Sequence, residues 1–225
     1  MFLSCLPFSG CISKTIHSDP VIQPTQKITL ADSEQESRDL PTAILSLNGK
    51  NLSGWKKTDF GGRGEISVAN SEIKIEMGAE LSGVNWTNAA ILPKTNYEIE
   101  LEAMKLEGSD FFCGLTIPFS NSFCTFVVGG WGGGIVGISS INGADASEND
   151  TTRNLYFEKN RWFHIRVRVT PEKITAWIDQ DKVVDLEIGG RRISMRGGDI
   201  ERSVPLGIAT WQTSAVIRNI RLKGI

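Results

Sequence analysis

From residue 42 onward the chain is a succession of short apolar runs separated by Gly, Asn, Asp and Pro. The runs cover residues 43–47, 65–69, 72–77, 89–92, 97–106, 111–117, 123–128, 135–139, 162–170, 173–179, 182–187, 206–211 and 216–223. Two of them show a strict period of two. In Tyr97-Glu-Ile-Glu-Leu-Glu-Ala103 the odd positions are apolar and Glu98, Glu100 and Glu102 share the opposite face. In Phe163-His-Ile-Arg-Val-Arg-Val169 the odd positions are again apolar, with His164, Arg166 and Arg168 facing away. Successive side chains of a strand point to opposite sides, so each run buries one face and frees the other. The stretch Trp177-Ile-Asp-Gln-Asp-Lys182 reads as a polar hairpin turn. Many short strands with turn signals and almost no helical periodicity predict an all-β sandwich or barrel.

The first 41 residues differ from the rest. Residues 12–41 are polar and irregular, as expected of a tether ahead of a folded domain at 42–225. Within residues 1–11, Phe8-Ser-Gly-Cys11 resembles a bacterial lipoprotein cleavage site, in which Cys11 becomes the acylated N-terminus. That reading predicts an extracytoplasmic protein, periplasmic or at the cell surface, touching a membrane only through a lipid anchor at Cys11. The run is short and no Lys or Arg precedes it, whereas a signal peptide normally opens with positive charge.

The chain has 225 residues, enough for one large domain, and a formal net charge of −2. No basic stripe marks a nucleic-acid footprint, and no apolar run is long enough to span a bilayer. Cys113 and Cys124 lie on neighbouring runs joined by Pro118-Phe-Ser-Asn121. A chain reversal near Pro118 could bring the thiols together as a disulfide; two buried free thiols are the alternative.

Candidate chemistry concentrates at Gly129-Gly-Trp-Gly-Gly-Gly134 and the polar segment 139–150 behind it. Glycines let the backbone turn almost anywhere. Trp131 therefore either faces a ligand or tucks back into the core as part of an ordinary hairpin. An indole gives a sugar ring an apolar face, while Asn142, Asp145, Glu148 and Asp150 offer hydrogen-bond partners. Trp211 and Gln212, at the turn between the last two runs, join Trp131 and Asn142 as candidate substrate-binding residues. Glu148 and Asp145 are the candidate catalytic bases, with a solvated polar loop as the plainer alternative. The acidic segment matches no calcium loop, and the histidines, His17 and His164, form no metal or triad pattern. No metal ligand set and no cofactor can be assigned. The alternating Glu98, Glu100 and Glu102 invite comparison with glycoside hydrolase family 16, whose catalytic strand carries alternating carboxylates. A Glu stands here where that family has its central Asp, and alternating Glu is also a common way to keep a sheet face in water.

A broader resemblance spans residues 42–225. Leu45-Ser-Leu-Asn-Gly-Lys-Asn-Leu-Ser-Gly-Trp55 resembles the opening of the 3-keto-disaccharide hydrolase domain family. Arg161-Trp-Phe-His-Ile-Arg-Val167 with Ile174-Thr-Ala-Trp-Ile-Asp179, and Pro205-Leu-Gly-Ile-Ala-Thr-Trp-Gln212 with the run after it, resemble that family's central hairpin and closing strands. The resemblance implies a concanavalin A-like jelly-roll sandwich of two curved antiparallel sheets carrying a carbohydrate site. It also implies an exported bacterial protein that cleaves glycosides oxidised at C3. Where members often carry a His after the closing Gln, this chain has Thr213-Ser214. Three functions stay open on the sequence: a glycoside-cleaving enzyme, a non-catalytic carbohydrate-binding module, and a structural surface domain.

Overall fold

The computed structural model describes residues 43–44 and 51–225, so the anchor and tether expectations lie outside the described residues. Two antiparallel sheets pack face to face as a jelly-roll sandwich. The first runs in the order β13 (Asp181–Glu187), β12 (Lys173–Ile178), β11 (Trp162–Val169), β6 (Tyr97–Gly108), β15 (Thr213–Gly224), β4 (Glu72–Ile75) and β3 (Ile66–Ala69), with β1 (Ala43–Ile44) also paired to β15. The second runs β10 (Arg153–Asn154), β9 (Ile135–Ser139), β8 (Ser122–Gly130), β7 (Cys113–Phe119), β14 (Gly207–Trp211), β5 (Leu81–Trp86) and β2 (Trp55–Lys57). Among the described residues no helix is long and apolar enough to cross a membrane.

The core lies between the sheets and follows from the alternation. Tyr97, Ile99, Leu101 and Ala103 of β6 face Leu115 and Ile117 of β7 and Phe126 and Val128 of β8 in one buried cluster. The Tyr97 hydroxyl donates to the Pro118 carbonyl at 2.5 Å, so the one polar atom at the centre of that row is satisfied. Cys113 and Cys124 both point into this core and remain free thiols. The register explains why: Cys113 lies opposite Val128 and Cys124 opposite Ile117, so the hairpin never brings the sulfurs together. Burial pushes both thiols up to about 12.

The elements depart from the expectation at one predicted run and at the unpredicted strands β2, β5 and β10. Residues 89–92 form a single 3-10 turn at Ala89–Ile91 rather than a strand, because the Asn88 side chain accepts the Ala90 N–H and caps it. Strand β5 is the longest of the strands with no counterpart among the predicted runs. Its outward positions Gly83 and Asn85 are small or polar, which breaks the apolar rhythm.

On the outer face of the first sheet the alternating glutamates meet cations from both neighbours. Glu98 lies opposite Arg168 and Lys223, Glu100 opposite Arg166 and Arg221, and Glu102 opposite His164 and Arg218. His164 Nε2 sits 3.2 Å from Glu100 and Arg218 Nε 2.5 Å from Glu102. These carboxylates are therefore members of an ion-pair ladder, on the face turned away from the second sheet. Glu98 is only 1 % exposed and takes Arg168 at 2.8 Å and Lys223 at 2.8 Å. Burial alone would raise its pKa, but the hydrogen bonds from Lys223 and Arg168 outweigh it and hold the group below its ordinary range. A carboxylate depressed in the folded state stabilises above its unfolded pKa, and that contribution is lost as pH falls through the folded value. Denaturant titrations below about pH 4.5 should therefore show a shallower loss of stability for Glu98→Gln than for the wild type. Parallel curves for the two proteins would remove Glu98 from the acid response.

Candidate functional site

The outer face of the second sheet carries a row of small side chains across five strands: Gly137, Val127, Gly114, Ala209 and Gly83 lie in register. This row keeps the floor low. A Cβ on Gly114 would approach Phe111 Cε2 to 3.0 Å, so glycine there lets the Phe111 ring lie down over the sheet. A second, smaller apolar cluster results, with Phe60, Leu81 and Ala209 buried and Phe111, Ile200 and Trp211 packed against them.

Above that cluster opens a cleft of about 430 Å³, a size that suits a small ligand. Trp131 and Trp211 both line it, together with Phe111 and Ile200. Trp131 stands at the β8–β9 turn with φ 47 and keeps 41 % of its surface exposed, so the glycine segment holds its ring out of the core. The charged lining comes from Glu80, Asp110, Arg196 and Asp199, with the hydroxyl residues Thr125 and Ser139 beside them. Asp110 is held from two sides: one carboxylate oxygen accepts the Phe111 N–H at 2.8 Å and the other the Gly132 N–H at 3.2 Å. It therefore braces the Trp131 turn against the floor. Asp199 takes Arg202 at 3.1 Å. Glu80 is exposed, and among the described residues its carboxylate has no hydrogen-bond or ion-pair partner.

The other residues singled out in the sequence occupy the walls and rim. Gln212 adopts φ 42, and its amide nitrogen donates to the Ala79 carbonyl at 2.9 Å, pinning the segment that carries Glu80. Asn142 accepts the Arg192 N–H at 2.8 Å. Asp145 takes Arg196 at 2.9 Å with one oxygen and the Ser139 hydroxyl with the other, and Asp150 takes Arg191 at 2.6 Å. These three contacts fasten the loop at 141–150 to the segment at 191–200 that forms one wall of the cleft. Asn142 and Asp145 are thus placed to shape the wall, and Asp145 reaches the cleft through Ser139 and Arg196. Glu148 is exposed and does not line it. The loop itself is organised by Asn149, whose amide donates to the carbonyls of Ile138, Ala144 and Asp145.

Glu80, Asp110, Phe111 and Asp199 do not stand out in the sequence as site residues, and Arg196 does so only as one of several arginines in the second half of the chain. Their signals are faint: Asp110-Phe111 opens a strand next to a buried Phe, and Arg196-Gly-Gly-Asp199 is a polar, glycine-rich stretch between two runs. Among the described residues no group of three or more His, Cys, Asp or Glu side chains converges as a metal site.

Residues 42–223 match the family model of the 3-keto-alpha-glucoside-1,2-lyase-like domain. The chain belongs to this family. Solved structures carry the same fold at low identity. The carbohydrate binding module CBM66 from Bacillus subtilis is 14 % identical, with a TM-score of 0.51 over 79 % of this chain and 98 % of that one. A Parabacteroides distasonis protein described as a glycosyl hydrolase is 11 % identical, with a TM-score of 0.50 over 88 % and 98 %. No curated protein sequence matches the chain.

Proposed function

We propose that the protein is a carbohydrate-active domain that cleaves 3-keto-glycosides by elimination in the cleft on the outer face of the second sheet. The observation that carries this reading is the convergence of Trp131 and Trp211 on one cleft with Glu80 and Arg196 at its rim. Two indoles give a sugar ring apolar faces to lie against. A 3-keto group acidifies the neighbouring C2–H, so a carboxylate can remove that proton while negative charge gathers on the C3 oxygen. The C1–C2 double bond then forms as the C1–O bond to the aglycone breaks, and the departing oxygen takes up a proton. Glu80, the lining carboxylate without a partner among the described residues, serves as the base. Arg196, held by Asp145, faces the developing oxyanion.

A non-catalytic binding module is the second reading. It is favoured by the engagement of Asp110 with two backbone N–H groups and of Asp199 with Arg202, which leaves few carboxylates free for chemistry.

The test is incubation of the full chain with a panel of 3-keto-glucosides, following release of the aglycone. Turnover supports the enzyme; saturable binding without release supports the module; neither result leaves the cleft without a carbohydrate role. Trp211→Ala should weaken ligand binding by about 1–3 kcal/mol, the range of aromatic anchors, as measured by calorimetry. An unchanged affinity would remove Trp211 from the site.

A further inference from the structure

Beside the main cleft lies a second one, of about 900 Å³, and Trp131 lines both. At its base is Lys105, which continues the inward row of β6 after Tyr97, Ile99, Leu101 and Ala103. The residue is only 5 % exposed. Among the described residues its ammonium has no hydrogen-bond or ion-pair partner, yet the side chain lines the second cleft. Asp110 acts on it only at a distance, its carboxylate being bonded to the Phe111 and Gly132 N–H groups. A half-desolvated cation without a direct partner is costly, and an apolar residue at this inward position would carry no such cost. The arrangement is that of a charge awaiting a partner.

The surroundings suit an anion. Gly132, Gly133 and Gly134 line the second cleft, next to the Trp131 that both clefts share. Gly133 has φ +103, and a Cβ there would lie 3.3 Å from Lys105 Nζ. A side chain at that position would crowd the ammonium and be strained besides, so glycine keeps the path to Nζ clear. Lys159 adds a second cation to the lining and Glu158 a carboxylate, and Tyr156, 88 % exposed, presents an aromatic ring there. Burial draws the Lys105 pKa below its ordinary value, Lys159 adds to the effect, and Asp110 opposes it.

We propose that the second cleft is a subsite for an oxyanion, the carboxylate or sulfate of a sugar unit reaching past Trp131, with Lys105 Nζ as its charge partner. The glycan part of this inference rests on the main cleft being a carbohydrate site; the oxyanion site stands on Lys105 alone. An anion seated against Nζ supplies a direct counter-charge that Asp110 gives only at a distance, so its arrival favours the protonated amine and raises the Lys105 pKa.

The test uses isotope-labelled full-length protein, titrated at constant ionic strength with methyl glucuronide, sodium sulfate and methyl glucoside. Saturable shifts of the Gly132, Gly133 and Gly134 amides are expected with the glucuronide, with sulfate, or with both. Which of the two oxyanions binds more tightly identifies the natural group. Methyl glucoside should give no such shifts. Lys105→Met should weaken oxyanion binding at least tenfold, and Lys159→Ser should weaken it less. Equal responses to glucuronide and glucoside, or an unchanged affinity in Lys105→Met, would overturn the proposal. Should Lys105→Met fail to fold, the wild-type Lys105 side-chain resonance decides: a titration moved to higher pH by the oxyanion supports the site, and an unmoved titration overturns it. A 3-keto-glucoside that shifts the Trp211 indole reports on the main cleft separately, so either site can fail while the other stands.

Discussion

Glu80→Gln is expected to lower the turnover of a 3-keto-glucoside by a factor of about 10² to 10⁴ while leaving its binding nearly unchanged. The substitution keeps the shape of the side chain and removes only its ability to accept the C2 proton. Binding is spared because the sugar is held by Trp131, Trp211 and Phe111, none of which depends on Glu80 for its position. The segment carrying Glu80 is itself fastened by backbone and side-chain bonds from Gln212, at 2.9 Å to the Glu80 and Ala79 carbonyls. Steady-state kinetics with separate kcat and KM values are the check, since loss of an interaction made only in the transition state lowers kcat and kcat/KM together. A variant with wild-type kcat would transfer the base to another carboxylate of the cleft.

The second large effect concerns stability. Phe112→Ala should cost about 3–5 kcal/mol, the range for removing a large aromatic side chain from a core. Phe112 is fully buried, 5.1 Å from the Phe157 ring in an edge-on contact and 5.8 Å from Phe163. The neighbouring Phe111 points to the other face of the same sheet and lies at the edge of the cleft. Phe111→Ala should therefore cost less than half as much in stability. The readout is the urea midpoint, with the slope unchanged if only the folded state is affected. A loss below about 1 kcal/mol for Phe112→Ala would contradict the packing described, because no core aromatic in the known range costs so little.

Much of this fold is legible in the chain, and particular residues show why. Wherever one face of a strand is apolar over several alternations, as in residues 97–103 of β6 and in β11, the period of two emerges from the sequence directly. Strand β5 escapes because its outer face carries Gly83, part of the row of small residues, and Asn85, which accepts the Thr58 hydroxyl and donates to the Val204 carbonyl. The turn at residues 89–91 escapes because its capping bond from Asn88 is a local competition that apolar content does not report. The site is less legible because its lining comes from residues near 80, 110, 125–139, 196–200 and 211, which only the sheet order brings together. Trp131 and Trp211 stand out through their glycine and turn contexts. Glu148 and Asn142 lie near Trp131 along the chain, but Glu148 is turned to solvent away from the cleft and Asn142 accepts the Arg192 N–H in its wall. Arg196 and Asp145 come together from segments fifty residues apart, a contact that no local pattern encodes. Lys105 does leave a trace: a lysine at an inward position of an otherwise regular alternation.

The central claim is that the cleft on the outer face of the second sheet is where carbohydrate binds. The chain's 6 tryptophans make the most direct test, because each indole N–H gives its own resonance. During titration with a 3-keto-glucoside, the indole signals of Trp131 and Trp211 should shift saturably. Those of Trp55 and Trp86, which pack against each other, and of Trp162 and Trp177, stacked under Arg218 and Arg166 on the opposite sheet, should stay in place. Shifts at Trp162 and Trp177 with Trp131 and Trp211 unmoved would put the ligand on the other face of the sandwich and contradict this account.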